Sequence, residues 1–153
     1  MVIRTLIFLL LNFVALGIGG IFTGKGVPSE WYQNLLKAPW TPPGWVFGAA
    51  WTLVMICFAP FMAKLSLSYK QGLNGVLFLY GLQWILNVAW NPIFFQLQYT
   101  ALGLITISSL LLLVLYFLLG YRTELKGWSL LALPYALWLF IATSLNAYIV
   151  LKN

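Results

Sequence analysis

The sequence predicts an all-α membrane protein, a bundle of five transmembrane helices with a folded first loop as a lid. Hydrophobic residues make up 63% of its 153 residues and charged residues 7%, whereas about 25% of residues are charged in an average soluble domain. The charges leave four long uncharged runs, residues 5–24, 38–63, 71–121 and 127–151. Because a spanning helix needs about 20 mostly apolar residues, three of these runs each fit one helix and the longest fits two.

The longest uncharged run is divided at residues 96–100, where Gln-Leu-Gln-Tyr-Thr is typical of a membrane interface. Residues 101–119, which follow it, contain thirteen Leu, Ile, Val or Phe, a composition that favours insertion by about 4–8 kcal/mol. We expect the whole chain, residues 1–153, to form one integral membrane domain. The predicted spans are residues 4–22, 44–64, 75–96, 101–120 and 129–150.

The first span has a second interpretation. Arg4, an apolar stretch and the small residues at positions 17–20 also fit a secretory signal peptide. We favour a spanning helix, because only one charge precedes the apolar stretch and this stretch continues to Phe22. Gly20 and Gly24 form a small-xxx-small pair, which allows close approach of another helix; alternatively, these glycines only mark the end of the helix.

The distribution of cations predicts the orientation in the membrane. By the positive-inside rule, the side with more Lys and Arg in its loops faces the cytoplasm. We therefore expect a multi-pass protein, in the cell membrane if it is bacterial, with a cytoplasmic N-terminus. The N-terminal side would carry Arg4, Lys64, Lys70, Arg122 and Lys126, and the other side Lys25, Lys37 and Lys152.

The segment at residues 23–43 is the only long connection, and long connections are commonly functional or disordered. Its aromatic residues argue against disorder. Ser29 is placed to cap a short helix starting at Glu30, Pro39 is expected to end that helix, and Pro42-Pro43 gives a stiff extended entry into the second span. We interpret the segment as a lid over one end of the bundle. An interfacial aromatic belt is the alternative, and both can hold.

Polar and aromatic residues recur at three- and four-residue steps in three spans, so each set shares one helix face. Lipid offers amides no partner, so Asn87, Asn91 and Asn146 should face the bundle interior. These faces predict a flat, apolar, aromatic ligand cavity; alternatively, the Asn and Trp residues only hold the helices together. The fourth span lacks such a face and is predicted to be a structural wall or lipid-facing. The faces comprise Phe47, Trp51 and Met55 in span two; Tyr80, Trp84, Asn87, Trp90 or Asn91, and Phe94 in span three; and Tyr135, Trp138, Ala142, and Leu145 or Asn146 in span five.

Several classes of function lack the residues they need. The chain has no His and one cysteine, Cys57, which a position deep in span two makes a packing residue rather than a nucleophile. Both carboxylates, Glu30 and Glu124, lie in predicted loops, so ion-coupled pumping, paired-carboxylate catalysis and metal hydrolysis are disfavoured. We expect no metal site, no required cofactor and no nucleic-acid partner.

Three sequence motifs resemble those of a known family. The first resembles the signature of the tryptophan-rich sensory/translocator proteins, the TspO/MBR or peripheral-type benzodiazepine receptor family, and the others resemble its third- and fifth-helix motifs. The chain departs from the family pattern at Lys37-Ala38-Pro39, where the proline is moved by one position. The motifs are Trp31-Tyr32, Leu35, Lys37, Trp40, Pro42-Pro43, Trp45-Val46-Phe47 and Trp51-Thr52; Leu86-Asn87-Val88-Ala89-Trp90 with Phe94-Phe95; and Pro134-Tyr135, Trp138, Ala142-Thr143 and Leu145-Asn146.

The resemblance implies five transmembrane helices, frequently a homodimer, and a cavity between the helices closed by the first loop. Ligands of the family are porphyrins such as protoporphyrin IX, cholesterol and benzodiazepine-site ligands. Some bacterial members promote light- and oxygen-dependent degradation of protoporphyrin, which makes the matching pair Trp51 and Trp138 candidate catalytic residues. Lys25 or Lys37 is placed to meet porphyrin propionates, or alternatively to reach lipid headgroups. The predicted ligand-binding residues are Tyr32, Trp40, Pro42, Phe47, Trp51, Met55, Asn87, Trp90, Phe94, Trp138, Ala142, Leu145 and Asn146.

Three functions stay open at this point. The first is a receptor or sensor for porphyrins and related apolar ligands, the second a catalyst of porphyrin degradation, and the third a passive carrier or channel for such ligands. Membrane lipid or sterol is a further expected partner. The sterol-recognition pattern L/V-x₁₋₅-Y-x₁₋₅-K/R occurs at four places, including residues 145–152, so it has little power to identify cholesterol as the ligand.

Overall fold

The computed structural model describes residues 1–69 and 72–153, and these form helices and turns. Within these two ranges, five helices are long and apolar enough to cross a membrane, which confirms the predicted fold class and a multi-pass integral membrane protein. The spanning helices are α1, α3, α4, α5 and α7. The elements are α1 (Val2–Gly26), α2 (Glu30–Asn34), α3 (Gly44–Ser68), α4 (Leu73–Asn91), a π turn (Pro92–Gln96), α5 (Thr100–Gly120), α6 (Arg122–Leu125), a 3₁₀ segment (Lys126–Ala132) and α7 (Leu133–Lys152).

The third span reaches Gln96 as predicted, but its regular α-helix, α4, ends at Asn91. From Pro92 the chain forms a π turn, in which the Leu97 amide donates to the Pro92 carbonyl at 2.9 Å. Gln98 then adopts a left-handed conformation with φ 58°, so the chain reverses before α5 begins at Thr100. The predicted break at residues 96–100 is thereby confirmed.

Residue 129, the predicted start of the fifth span, lies inside the apolar helical stretch Arg122–Lys152. The regular α-helix of this stretch starts at Leu133, after the 3₁₀ segment. Pro134 stands in its first turn, where the missing proline amide costs no helix hydrogen bond. The first helix is longer than the predicted span and continues to Gly26. The glycines near its end therefore do not terminate it.

The aromatic core fills the half of the bundle that lies away from the first loop. Phe58 of α3 stacks on Phe61 at 5.5 Å between ring centroids and meets the edges of Phe117 and Tyr135 at 5.8 and 5.2 Å. All four side chains are fully buried. Helix α5 supplies Phe117 and packs along α7 and α4, so it is the structural wall that its composition predicts.

Helix α1 is fastened to the bundle by a buried amide. Asn12, 2% exposed, donates from Nδ2 to the Met55 carbonyl at 3.1 Å and accepts at Oδ1 from the Tyr80 hydroxyl at 2.9 Å. Trp84 also turns toward this helix, donating from Nε1 to the Leu11 carbonyl at 2.9 Å. Three helices are therefore joined around Asn12, which the sequence analysis did not single out.

Two glycines of α1 allow close packing, but they are not the predicted pair. A Cβ at Gly19 would lie 2.7 Å from Asn91 Nδ2, and a Cβ at Gly26 would clash with the Phe95 ring. At Gly20 and Gly24 a Cβ would have nothing within 4 Å. Close approach inside this chain therefore uses Gly19 and Gly26.

Candidate ligand cavity beneath the first loop

A cavity of about 450 Å³ lies between the helices beneath the first loop. This volume falls in the range of about 300–1,000 Å³ that is typical of small-molecule sites. The aromatic core closes the other half of the bundle, so the cavity lies in the half next to the loop. Its lining comes from α1, the first loop, α3, α4, the π turn, α5 and α7.

The first loop, residues 27–43, is folded around helix α2. Ser29 caps α2 as predicted, accepting at Oγ from the Tyr32 amide at 3.3 Å. The prediction that Pro39 ends this helix is wrong, because α2 ends at Asn34 and Leu35 is already extended, with ψ 141°. Pro43, with φ −55° and ψ 149°, gives the predicted extended entry into α3.

Aromatic contacts dock one part of the loop on the π turn. Trp31 and Tyr32 meet Phe94 at 5.6 and 6.4 Å between ring centroids, and Tyr32 also meets Phe95 at 5.5 Å. Burial raises the pKa of the Tyr32 hydroxyl above its usual value. The π turn therefore provides both a wall of the cavity and the seat of the loop.

A second set of contacts fastens the loop to α7. Trp40 donates from Nε1 to Ser144 Oγ at 3.2 Å, and its ring meets the Tyr148 ring at 5.4 Å. Asn153 accepts at Oδ1 from the Leu36 amide at 2.9 Å and donates from Nδ2 to the Leu36 carbonyl at 3.3 Å. Trp40, predicted to bind ligand, is 54% exposed and is not among the lining residues; its observed contacts hold the loop closed.

Two indoles from different helices meet edge to face in the wall of the cavity. Trp51 of α3 and Trp138 of α7 lie 6.4 Å apart between ring centroids at an interplanar angle of 80°. Phe47 meets Trp138 edge-on at 5.3 Å, and Tyr135 supports Trp51 at 5.9 Å. Trp138 is only 5% exposed. The pair is therefore a rigid aromatic surface held by its neighbours.

The amides that were expected to face the interior do so. Asn146 accepts at Oδ1 from Trp90 Nε1 at 3.0 Å and donates to the Thr100 carbonyl at 2.9 Å. Asn91 accepts from the Thr23 hydroxyl at 2.9 Å. Both amides line the cavity and also join helices. A position at the cavity and a role in holding the helices together are therefore compatible. Asn87, 7% exposed, lines the cavity as well.

The structure brings twelve of the thirteen predicted ligand-binding residues to this one cavity, and Trp40 is the exception. Tyr80, Trp84 and Tyr135, which share their helix faces, lie outside the lining and pack between helices. The twelve are Tyr32, Pro42, Phe47, Trp51, Met55, Asn87, Trp90, Phe94, Trp138, Ala142, Leu145 and Asn146.

The contribution of α1 to the cavity was missed. The few polar residues of this helix do not recur at three- and four-residue steps, so no polar stripe marks its inner face. The adjacent small residues Gly19 and Gly20, both in the lining, are the available signal. The lining residues of α1 and its end are Ala15, Leu16, Gly19, Gly20, Thr23 and Val27.

One cation borders the cavity. Lys37 is in the lining, where its Nζ donates to the Gln33 carbonyl at 3.1 Å and lies 4.8 Å from the centroid of the Tyr32 ring. Lys25 is not a lining residue. Across residues 1–69 and 72–153, no group of three or more His, Cys, Asp or Glu is placed to hold a metal ion. The chemistry offered is therefore that of several aromatic rings, a few amides and one ammonium group.

These features define a polytopic helical membrane protein with an aromatic cavity beneath a structured loop. A model of the TspO/MBR family matches residues 7–151, and the chain belongs to this family. It is 34% identical to "Tryptophan-rich protein TspO" of Chlorobaculum tepidum, over 88% of this chain and 86% of that protein. It is 34% identical to "Tryptophan-rich sensory protein" of Cereibacter sphaeroides, over 78% and 74%. It is 30% identical to "Translocator protein" of Homo sapiens, over 83% and 79%.

Proposed function

We propose that the chain is a membrane receptor or sensor that binds flat aromatic ligands of the tetrapyrrole class in the cavity beneath the first loop. The observation that carries the proposal is the pair Trp51 and Trp138, which presents two indoles from different helices to one cavity. Indole faces bind planar π systems through stacked and edge-on contacts. The relative from Cereibacter sphaeroides is named "Tryptophan-rich sensory protein", which supports a sensory role.

The polar groups of the cavity suit an amphipathic macrocycle. Asn87 gives a hydrogen-bonding group near the indoles, and Lys37 gives an ammonium group at the loop. A porphyrin such as protoporphyrin IX has a flat apolar ring and carboxylate substituents at one edge. We therefore expect its ring against Trp51 and Trp138 and its propionates toward Lys37, where a charge-assisted hydrogen bond forms.

Titration of tryptophan fluorescence with protoporphyrin IX tests this proposal on the full chain in detergent micelles. The variant Trp51→Leu/Trp138→Leu removes both indole faces, and we expect affinity to fall by at least about tenfold. Trp45→Leu is the matched control, because Trp45 lies on the same helix α3, is 75% exposed and is not a lining residue. Circular dichroism verifies folding. Equal affinity in the two variants would place the porphyrin elsewhere.

Sterols provide a comparison of ligand class. Cholesterol has no aromatic ring and only one hydroxyl group, so its binding depends mainly on the burial of apolar area. We expect cholesterol to displace protoporphyrin IX only weakly, and flat benzodiazepine-site ligands to displace it competitively. Displacement by cholesterol at equal concentrations would favour a sterol receptor instead.

Light-dependent degradation of the bound porphyrin is a second candidate, favoured by the 6.4 Å separation of the two indoles. Trp51 and Trp138 would then act as catalytic residues beside the excited ring, with molecular oxygen as the oxidant. Illumination with oxygen should convert protoporphyrin IX to one product, detected by absorbance and mass spectrometry. Trp51→Phe and Trp138→Phe should each stop this conversion while binding persists, whereas Trp45→Phe should not. Equal conversion by all three variants would exclude the indole pair.

We also propose that the N-terminus faces the cytoplasm. The end of the bundle where α1 begins carries Arg4, Lys64, Arg122 and Lys126, and more cations favour the cytoplasmic side. In a Cys57→Ser background, membrane-impermeant thiol reagents applied to intact cells should label Lys152→Cys but not Thr123→Cys. Labelling of Thr123→Cys but not of Lys152→Cys would show the opposite orientation.

A further inference from the structure

A second pocket lies at the end of the bundle opposite the first loop. Its volume is about 680 Å³, and it is open to the surface. It lies where α3 ends and the segment joining α5 to α7 folds back over it. The lining residues are Lys64, Glu124, Leu125, Lys126, Gly127, Trp128 and Leu131.

Two lysines from different elements line this pocket. Lys64 comes from the last turns of α3, and its Nζ lies 5.9 Å from the centroid of the Trp128 ring. Lys126 begins the 3₁₀ segment with a backbone φ of 50°, a conformation that non-glycine residues adopt at a cost. The connecting segment therefore adds a second lysine to the pocket that Lys64 lines.

The pocket keeps a net positive charge. Glu124 is its one carboxylate, and this group accepts a hydrogen bond from the neighbouring Thr123 hydroxyl at 2.8 Å. Close by, the Arg4 guanidinium donates to the Ser66 carbonyl at 2.8 Å, which adds a third cation to this end of α3. A monoanion entering the pocket meets two ammonium groups against one carboxylate.

The positive pocket borders an apolar surface. Trp128 is 42% exposed and Leu130 is 65% exposed, on the segment that leads into the spanning helix α7. Indole side chains at this position are typical of the boundary between headgroups and acyl chains. The pocket thus offers cationic groups suited to a lipid headgroup, and the residues beside it offer apolar contacts suited to an acyl chain.

We propose that this pocket binds the phosphate group of an anionic phospholipid, with the phosphate between Lys64 and Lys126 and the upper acyl chain along Trp128 and Leu131. Basic pockets between transmembrane helices are suited to such headgroups. The site is separate from the cavity beneath the first loop and shares no lining residue with it. Its failure would therefore leave the proposed function untouched, and the reverse also holds.

Binding of phosphatidylglycerol to the detergent-purified full chain, counted by native mass spectrometry, tests the proposal. The variant Lys64→Gln/Lys126→Gln removes both ammonium groups, and we expect an affinity loss of about fivefold for each lysine. The control Lys25→Gln/Lys152→Gln lowers the net charge from +6 by the same two units, but at the other end of the bundle. It should bind phosphatidylglycerol like the parent chain, and phosphatidylcholine should bind all three proteins weakly.

Three further results bear on the assignment. Lys64→Arg/Lys126→Arg should retain binding, because both positive charges are kept. If the glutamine variant fails to fold, this charge-retaining variant still tests the site. Equal loss in the two glutamine variants would mean that only net charge matters and would overturn the site. Competition by inorganic phosphate at concentrations similar to those of phosphatidylglycerol would assign a soluble phosphate and overturn the lipid.

Discussion

The indole Nε1 of Trp90 donates a hydrogen bond to Oδ1 of Asn146 at 3.0 Å, and so joins α4 to α7 at the wall of the cavity. The same amide donates to the Thr100 carbonyl, the first residue of α5. Asn146 is 2% exposed. One side chain therefore joins α4, α5 and α7, and of these helices α4 and α7 carry predicted ligand-binding residues.

Asn146→Leu should destabilise the bundle, because it leaves the Trp90 indole N–H and the Thr100 carbonyl without partners. Interhelical hydrogen bonds in membranes contribute about 0.6 kcal/mol on average and up to about 1.7, so we expect a loss of about 1–2 kcal/mol. Unfolding followed by circular dichroism in mixed micelles measures this loss. Asn34→Leu, at an exposed position of α2, is the control, and an equal effect in both variants would contradict the role of Asn146.

Asn12 gives a prediction in the form of a double-mutant cycle. Asn12→Leu removes the acceptor of the Tyr80 hydroxyl at 2.9 Å and the donor to the Met55 carbonyl, so it should cost about 1–2 kcal/mol of unfolding free energy. In Asn12→Leu/Tyr80→Phe no orphaned hydroxyl is left. The double variant should therefore be less destabilised than the sum of the single variants, and strict additivity would show that the two side chains do not interact.

The small residues of α1 should respond in opposite directions to the same substitution. At Gly19 an added Cβ would lie 2.7 Å from Asn91 Nδ2, whereas at Gly17 it would meet nothing within 4 Å. Gly17→Ala should stabilise the helix by about 0.5–1 kcal/mol through backbone entropy, and Gly19→Ala should lower the unfolding temperature. A stabilising Gly19→Ala would mean that α1 stands further from α4 than described.

The spanning helices could be predicted from the sequence because its uncharged runs are long enough for one or two spanning helices each. The faces of α3, α4 and α7 could be predicted because Trp and Asn recur at helical steps, and Trp51, Asn87 and Trp138 meet in one cavity. Two features resisted prediction for physical reasons. The polar residues of α1 do not recur at three- and four-residue steps, so the inner face that carries Asn12 and Gly19 could not be predicted. The π turn at Pro92 depends on which carbonyls the chain can reach after the missing proline amide.

The first loop of the protein should open when its fastening to α7 is cut. Trp40→Phe keeps the ring contact with Tyr148 but removes the hydrogen bond to Ser144 Oγ, and Asn153→Ala removes both bonds to the Leu36 backbone. Neither residue lines the cavity, so ligand contacts stay intact. The double variant should therefore show faster hydrogen exchange at residues 30–41 and faster dissociation of protoporphyrin IX.

The size of this effect follows from the bonds removed. Each hydrogen bond contributes about 0.5–1.5 kcal/mol net, so loop opening should become at least about tenfold more frequent when all three are lost. Lys152→Gln is the control, because Lys152 neighbours Asn153 and is exposed but forms none of the bonds described here. If exchange rises at α3 or α7 as well, the contacts stabilise the bundle as a whole; exchange confined to the loop identifies them as its latch.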